Sequence, residues 1–172
     1  MSPAGVSVLP LSRRAVVFRL AGQACALPLE RVQEVLPMAT LLRPPGLPAL
    51  LEGFLNLGGA AVPVIHLCRL FGLPWEAPGL YTPLLVVSGH PGPLALLVDE
   101  VTDLLSVDQK ALVQVREDQV FNDCVEAEID LGDRTLHLLS PDRLLLEEER
   151  QRVAALREAA QERLAALAGS DR

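Results

Sequence analysis

Residues 51–72 read LEGFLNLGGAAVPVIHLCRLFG, and this stretch decides the class of fold. Two short apolar runs, Glu52–Leu57 and Ala60–Ile65, are split by Gly58-Gly59 and read as strands. His66 to Phe71 suits a short helix, stopped by Gly72 and Pro74. Toward the N-terminus, Arg43-Pro-Pro-Gly-Leu-Pro48 is a rigid loop, because that proline density forbids regular structure. Before it come a strand over Gln33–Leu36 and a single helical turn, Pro28–Val32, with proline at a first-turn position. Ala15–Leu20 and Ala24–Leu27 flank Ala21-Gly22-Gln23, a hairpin signal with glycine to take positive φ. Toward the C-terminus, Thr82–Ser88 and Leu94–Val98 form a hairpin joined by Gly-His-Pro-Gly-Pro, and Val101–Val107 follows. Val125–Asp130 and Arg134–Leu139 are joined at Leu131-Gly132-Asp133. About nine or ten short strands at this spacing imply a barrel or sandwich.

The last thirty or so residues change period. Leu146, Val153, Leu156, Ala160, Leu164 and Leu167 form a helical stripe. Ser140-Pro141 supplies a cap and a first-turn proline, Glu147-Glu148-Glu149 suits the positive end of the helix dipole, and Gly169 stops the run. One helix is predicted from about Pro141 to Ala168. A stripe of mixed large and small residues wants a partner, in this chain or in another copy, so self-association through this helix is an expectation. The chain divides into a flexible tail (1–14), a domain over 15–146 made of two barrel subdomains, and a C-terminal helix counted as 147–172.

Composition narrows the function. The chain has 172 residues, half of them apolar but only 3% aromatic, so aliphatic side chains must fill the core. With 15 Lys+Arg against 22 Asp+Glu the net charge is −7, and no basic stripe for nucleic acid is present. The segment 70–98 is too rich in proline and glycine to cross a membrane as a helix. The first residues, MSPAGVSVLPLSRR, lack the basic and apolar regions of a signal peptide. Cys25, Cys68 and Cys124 are odd in number and far apart, which predicts neither disulfides nor a zinc site, and fits a reducing cytoplasmic compartment.

Chemistry-bearing patterns are missing. No GxSxG, phosphate loop or dinucleotide fingerprint occurs, and Gly58-Gly59 is too short to cradle a pyrophosphate. His66, His90 and His137 are isolated and read as structural or solvated residues. Asp99 and Glu100, the best carboxylate pair, point to opposite faces of a strand and cannot work on one substrate. Cys25 reads as a small core filler. No enzyme activity, cofactor or metal is predicted.

Four pieces in order then carry a resemblance: PLERVQEV (28–35), RPPGLPALLEGFLNLGGAAVPVIHLCRLFG (43–72), LLVVSGHPGPLALLVDEVTDLLSV (84–107) and LHLLSPDRLLLEEE (136–149). Together they resemble the CheW-like family of bacterial chemosensory adaptors, from about Ala15 to Leu146. The resemblance implies a mainly β fold of two interleaved SH3-like five-stranded barrels, with short connecting helices, a shared core and no active site. It implies a non-catalytic adaptor that bridges the cytoplasmic tips of methyl-accepting chemoreceptors to the regulatory domain of a CheA-like histidine kinase. Such an adaptor is cytoplasmic, at membrane-associated receptor arrays, without inserting into the membrane.

The resemblance also places the candidate protein-binding residues. Val32, Glu34, Gly53, Asn56, Gly58 and Gly59 fall in the neighbourhood where family members meet the receptor helix. Two positions depart from the family pattern: Gly58 stands where an Arg is usual, and His66 where an Asp is usual. A neutral imidazole caps a helix poorly by rank, and an Arg in place of Gly58 would have Glu34 as its expected partner. An alternative within the same fold is an accessory that binds only receptor or only kinase. A small hydrolase using Asp99 or Glu100 is the rival of a different class.

Overall fold

The structure, a computed structural model, describes residues 13–89, 91–113 and 123–170. Its first half holds β1 (Arg13–Leu20), β2 (Gln23–Pro28), β3 (Val32–Pro37), β4 (Leu51–Leu57), β5 (Ala60–His66) and the short helix α1 (Leu67–Leu70). There follow β6 (Pro83–Val87), β7 (Leu94–Leu97), β8 (Glu100–Val107), β9 (Leu112–Val113), β10 (Val125–Asp130), β11 (Thr135–Leu139) and the helix α2 (Glu147–Ser170). One sheet has the order β8-β1-β2-β11-β10-β9 and the other β3-β6-β7-β5-β4. The first is therefore built from both ends of the chain and the second from its middle, which is the interleaving expected. The expected count of five strands holds for the second sheet. The first has a sixth, β9, whose two residues are too few to leave a periodic signal.

The strands read as continuous apolar runs because most of them are covered on both faces. In β1 and β2, Val17 and Ala26 point into a cluster with Ile129, Leu136 and Leu138, inside the first sheet. Val16, Phe18, Cys25 and Leu27 point the other way, into a core shared with the second sheet. In β6, Leu84 and Val86 face a cluster of the second sheet's own, while Leu85 and Val87 face the shared core. Three apolar clusters thus alternate with two sheets. The three cysteines, distant in sequence, all lie in the shared core. Burial pushes the thiols of Cys25 and Cys124 up to about 12, which keeps them protonated and inert.

Arg31 locks the passage from one sheet to the other. It sits in the 3-10 turn Leu29–Arg31, between β2 and β3. Its guanidinium donates to both carboxylate oxygens of Asp142 at 2.9 and 2.7 Å, to Ser88 Oγ at 2.9 Å and to the Ser88 carbonyl at 2.8 Å. The end of β6 and the turn leading to α2 are so tied to one side chain. The hydrogen bonds it donates to Asp142 hold the guanidinium's pKa above its ordinary value.

Four sequence expectations need correction. The helix predicted from Pro141 is interrupted: Pro141–Arg143 is a 3-10 turn and α2 starts only at Glu147. Leu144 and Leu145 between them turn inward and are buried in the shared core. The start is then fixed by Glu149, whose Oε1 accepts from the Leu146 N–H at 2.8 Å, one half of a capping box. Gly169 does not stop the helix, which continues through Ser170. At the other end, Arg13 and Arg14, assigned to the tail, open β1, while residues 1–12 and His90 lie outside the described residues. Finally, the imidazole of His66 does cap α1: its Nδ1 accepts from the Arg69 N–H at 3.4 Å. Burial, and then the Arg69 charge, lower the His66 pKa and so preserve that lone pair.

Candidate functional site

An open groove of about 510 Å³ runs between the edge strands β3 and β8. Each pairs with a single neighbour, β3 with β6 and β8 with β1, so the groove lies where an edge of one sheet faces an edge of the other. Its floor and walls are Val16, Leu29, Val32, Val35, Val101 and Leu104. Val35 and Leu104 are 49% and 53% exposed, unusual for large aliphatic residues in strands of this chain. The polar rim is Gln33, Glu34, Thr102 and Asp103, which gives it two carboxylates and no cation.

Irregular pairing keeps both edges from recruiting another strand. In β3 the register shifts between Val32 and Glu34, and in β8 it shifts opposite Val17 and Phe18. Such bulges twist an edge and break its ladder, a common protection against strand addition. Asp103 adds to this by accepting the Leu104 N–H at 2.8 Å, and Thr102 Oγ1 donates to the Val17 carbonyl at 3.4 Å. What remains is a trough of side chains suited to a helix and unsuited to an added strand.

The sequence candidates divide among three places. Val32 and Glu34 line the groove, Val32 also packing against the shared core. Gly53 is buried beneath the segment Leu41–Arg43, whose Leu42 exchanges two backbone hydrogen bonds with Phe54 at 2.8 and 2.9 Å. A Cβ on Gly53 would lie 2.9 Å from the Leu42 carbonyl oxygen and 3.0 Å from Leu41 Cβ. Gly58 and Gly59 form the β4–β5 turn, and Asn56 stands just before it in β4. Both glycines have positive φ, as a two-residue hairpin turn of this kind requires, and Asn56 Oδ1 accepts from the Gly59 N–H at 2.9 Å.

That turn is held by α2. Gln161 Nε2 donates to the Gly59 carbonyl at 2.8 Å and its Oε1 accepts from the Ala61 N–H at 2.9 Å. Val153 and Ala160 are buried in the shared core, and Leu156 and Leu164 pack against it. The middle of the apolar stripe is therefore covered by its own chain, while Leu146 and Leu167 at its two ends stay exposed. Glu34 and the Gly58 turn belong to β3 and β4, the two ends of the second sheet's strand order. No hydrogen bond or ion pair joins them among the described residues.

Sequence reasoning placed no binding residue on β8, although Val101, Thr102, Asp103 and Leu104 form one side of the groove. The pattern EVTDLLSV reads as an ordinary half-buried strand; only its position opposite β3 makes it a site. A second omission is Glu52, buried at a bulge of β4 and paired with Arg43 at 3.0 Å and Arg69 at 3.1 Å.

Comparison with known proteins places this geometry. The model of the CheW-like domain matches residues 14–149. The probable chemotaxis protein CheW of Rhizobium etli is 29% identical over 112 residues, covering 65% of this chain and 72% of that one. The chemotaxis protein CheW of Rhizobium meliloti is 26% identical over 98 residues, covering 57% of this chain and 63% of that one. Among solved structures, the scaffolding protein TtCheW of Thermoanaerobacter tengcongensis superposes with a TM-score of 0.73 at 24% identity. It covers 80% of this chain and 90% of its own, a likeness of fold.

Proposed function

The chain belongs to the CheW-like domain family, and we propose that it is a non-catalytic adaptor coupling chemoreceptors to a CheA-like histidine kinase in a bacterial chemosensory system. The observation that carries the reading is the groove between β3 and β8: aliphatic along its length, open, and edged by strands whose bulges disfavour strand addition. An α-helix is about 10–12 Å across with its side chains and docks by laying an apolar stripe into such a trough. In this reading the receptor's cytoplasmic tip supplies the helix, with Val32, Val35 and Leu104 beneath it and Glu34 at the rim. The regulatory domain of the kinase docks on one of the barrels. Gly53, Asn56, Gly58 and Gly59 act indirectly, by shaping the barrel that carries the groove. No described helix is long and apolar enough to cross a membrane, and the proposed site of action is the cytoplasmic face of receptor arrays.

Titration calorimetry with a receptor-tip fragment and, separately, a kinase regulatory domain tests this. The wild type should bind both. Val35→Asp combined with Leu104→Asp should weaken receptor binding at least tenfold, about 1.4 kcal/mol or more, and leave kinase binding unchanged. Undiminished receptor binding by that variant would remove the groove from the reading. A wild type that binds the receptor and not the kinase would instead be the single-partner accessory.

A further inference from the structure

We propose that the loop between α1 and β6 is a second docking surface, built to receive a basic, aliphatic segment of a partner protein. The chain has one Trp and one Tyr, and both stand in this loop. Trp75 is 47% exposed, Leu80 79% and Tyr81 94%, whereas Phe18, Phe54 and Phe71 are all buried. A protein that fills its core with aliphatic residues and displays its Trp and Tyr on one loop has the composition of a binding hot spot there.

The loop is also prepared for contact. Thr82 closes a turn with Gly79, its N–H donating to the Gly79 carbonyl at 3.1 Å and its Oγ1 accepting from the Gly79 N–H at 2.8 Å. Pro74 and Pro78 restrict the backbone between α1 and that turn. Trp75 is fixed from below: the Arg69 guanidinium lies 4.0 Å from its ring centroid, and the His66 ring meets it edge-on at 5.2 Å. Arg69 is itself held by the buried Glu52 at 3.1 Å. An aromatic side chain both exposed and immobilised loses little entropy when a partner covers it.

Beside Trp75 opens a cleft of about 610 Å³, bounded on its far side by Ala21 of the β1–β2 turn. Its charged lining residues are Glu76 and Asp99, and no basic residue lines it. Asp99 is fixed there, its Oδ2 accepting from the Ala21 N–H at 2.7 Å. Aromatic and aliphatic surface next to two carboxylates fits a segment that presents Lys or Arg beside Leu-like residues. The same carboxylates oppose an anionic lipid surface. This cleft shares no lining residue with the β3–β8 groove, so the inference stands independently of the receptor assignment.

Trp75, as the only tryptophan, reports occupancy directly by its fluorescence. The probes are a short amidated peptide alternating leucine and arginine, its leucine–glutamate twin, and vesicles of phosphatidylglycerol. The leucine–arginine peptide should shift the emission to shorter wavelength and protect it from acrylamide, saturably, with little response to the twin or the vesicles. Glu76→Lys, an exposed change, should weaken the response at least tenfold, and Tyr81→Ser should weaken it as well. Val35→Asp in the groove should not alter it. A missing response, an equal response to the twin or the vesicles, or an unweakened response in Glu76→Lys would overturn the proposal. So would an emission that shifts with protein concentration alone, which would assign the surface to a second copy of the chain.

Discussion

The outer face of β4 and β5 and the groove between β3 and β8 are both aliphatic surfaces of strands, yet only the first is closed by this chain. There, α2 lays Val153, Leu156, Ala160 and Leu164 against the shared core and grips the β4–β5 turn through Gln161. In the groove, Val35 and Leu104 stay about half exposed. The amphipathic helix looked in sequence like the element in search of a partner, and its middle finds that partner within its own fold, while Leu146 and Leu167 stay exposed. The strands of the groove carried no such signal. Apolar periodicity therefore locates surfaces that need covering, and only the strand order tells which are left uncovered.

A charge placed on each surface should separate them most sharply. Ala160→Asp buries a carboxylate in the shared core with no cation designed to meet it, and should cost about 3–5 kcal/mol of stability. Val35→Asp places the same charge on an exposed edge and should stay within about 0.5 kcal/mol of the wild type. Urea denaturation of both variants measures the contrast. Equal losses would mean that the groove is closed in solution and the comparison fails.

The closed side should also answer to pH. His66 at the end of β5 has its pKa lowered, first by burial and then by Arg69, with Glu52 and Asp99 acting in the opposite direction. The folded protein prefers the neutral ring, so the unfolded chain binds the extra proton more readily. The stability owed to His66 is complete above the unfolded value of about 6.5 and drains away as pH falls below it. Thermal denaturation between about pH 7 and pH 5 should show this loss, and His66→Asn should reduce it, because asparagine can cap α1 without titrating. An unchanged pH dependence in His66→Asn would place the proton elsewhere.

Most of the fold was legible because its elements are short and punctuated. Gly58-Gly59, Ala21-Gly22 and the proline-rich segments mark where strands end, and the ladders agree to within a residue or two. What local patterns could not supply was neighbourhood. β2 pairs in parallel with β11, and β5 with β7, so strands far apart in sequence become adjacent. The groove depends on just such an arrangement. Val32 and Glu34 were reached through the family resemblance, while Val101, Thr102, Asp103 and Leu104 opposite them were not. His66 escaped for a different reason: the ranking of cap residues describes exposed helix ends, and this one is buried.

The smallest effect tests that lesson about neighbourhood. Gly58 stands where an Arg is usual in the family, and the sequence suggested that restoring the Arg would pair it with Glu34. The strand order sets these residues at opposite ends of the second sheet. An added Cβ at Gly58 meets no atom within 4 Å, so sterics do not oppose the change. Its φ of +62° does, at about 1 kcal/mol or somewhat more for a side chain in the left-handed region. Gly58→Arg should therefore cost about that much and gain nothing from Glu34. If the two sites are independent, the losses of Gly58→Arg and Glu34→Ala should add within about 0.3–0.5 kcal/mol in a double-mutant cycle. A coupling clearly above that range would bring the two edges together in solution and make the β4–β5 turn part of the groove.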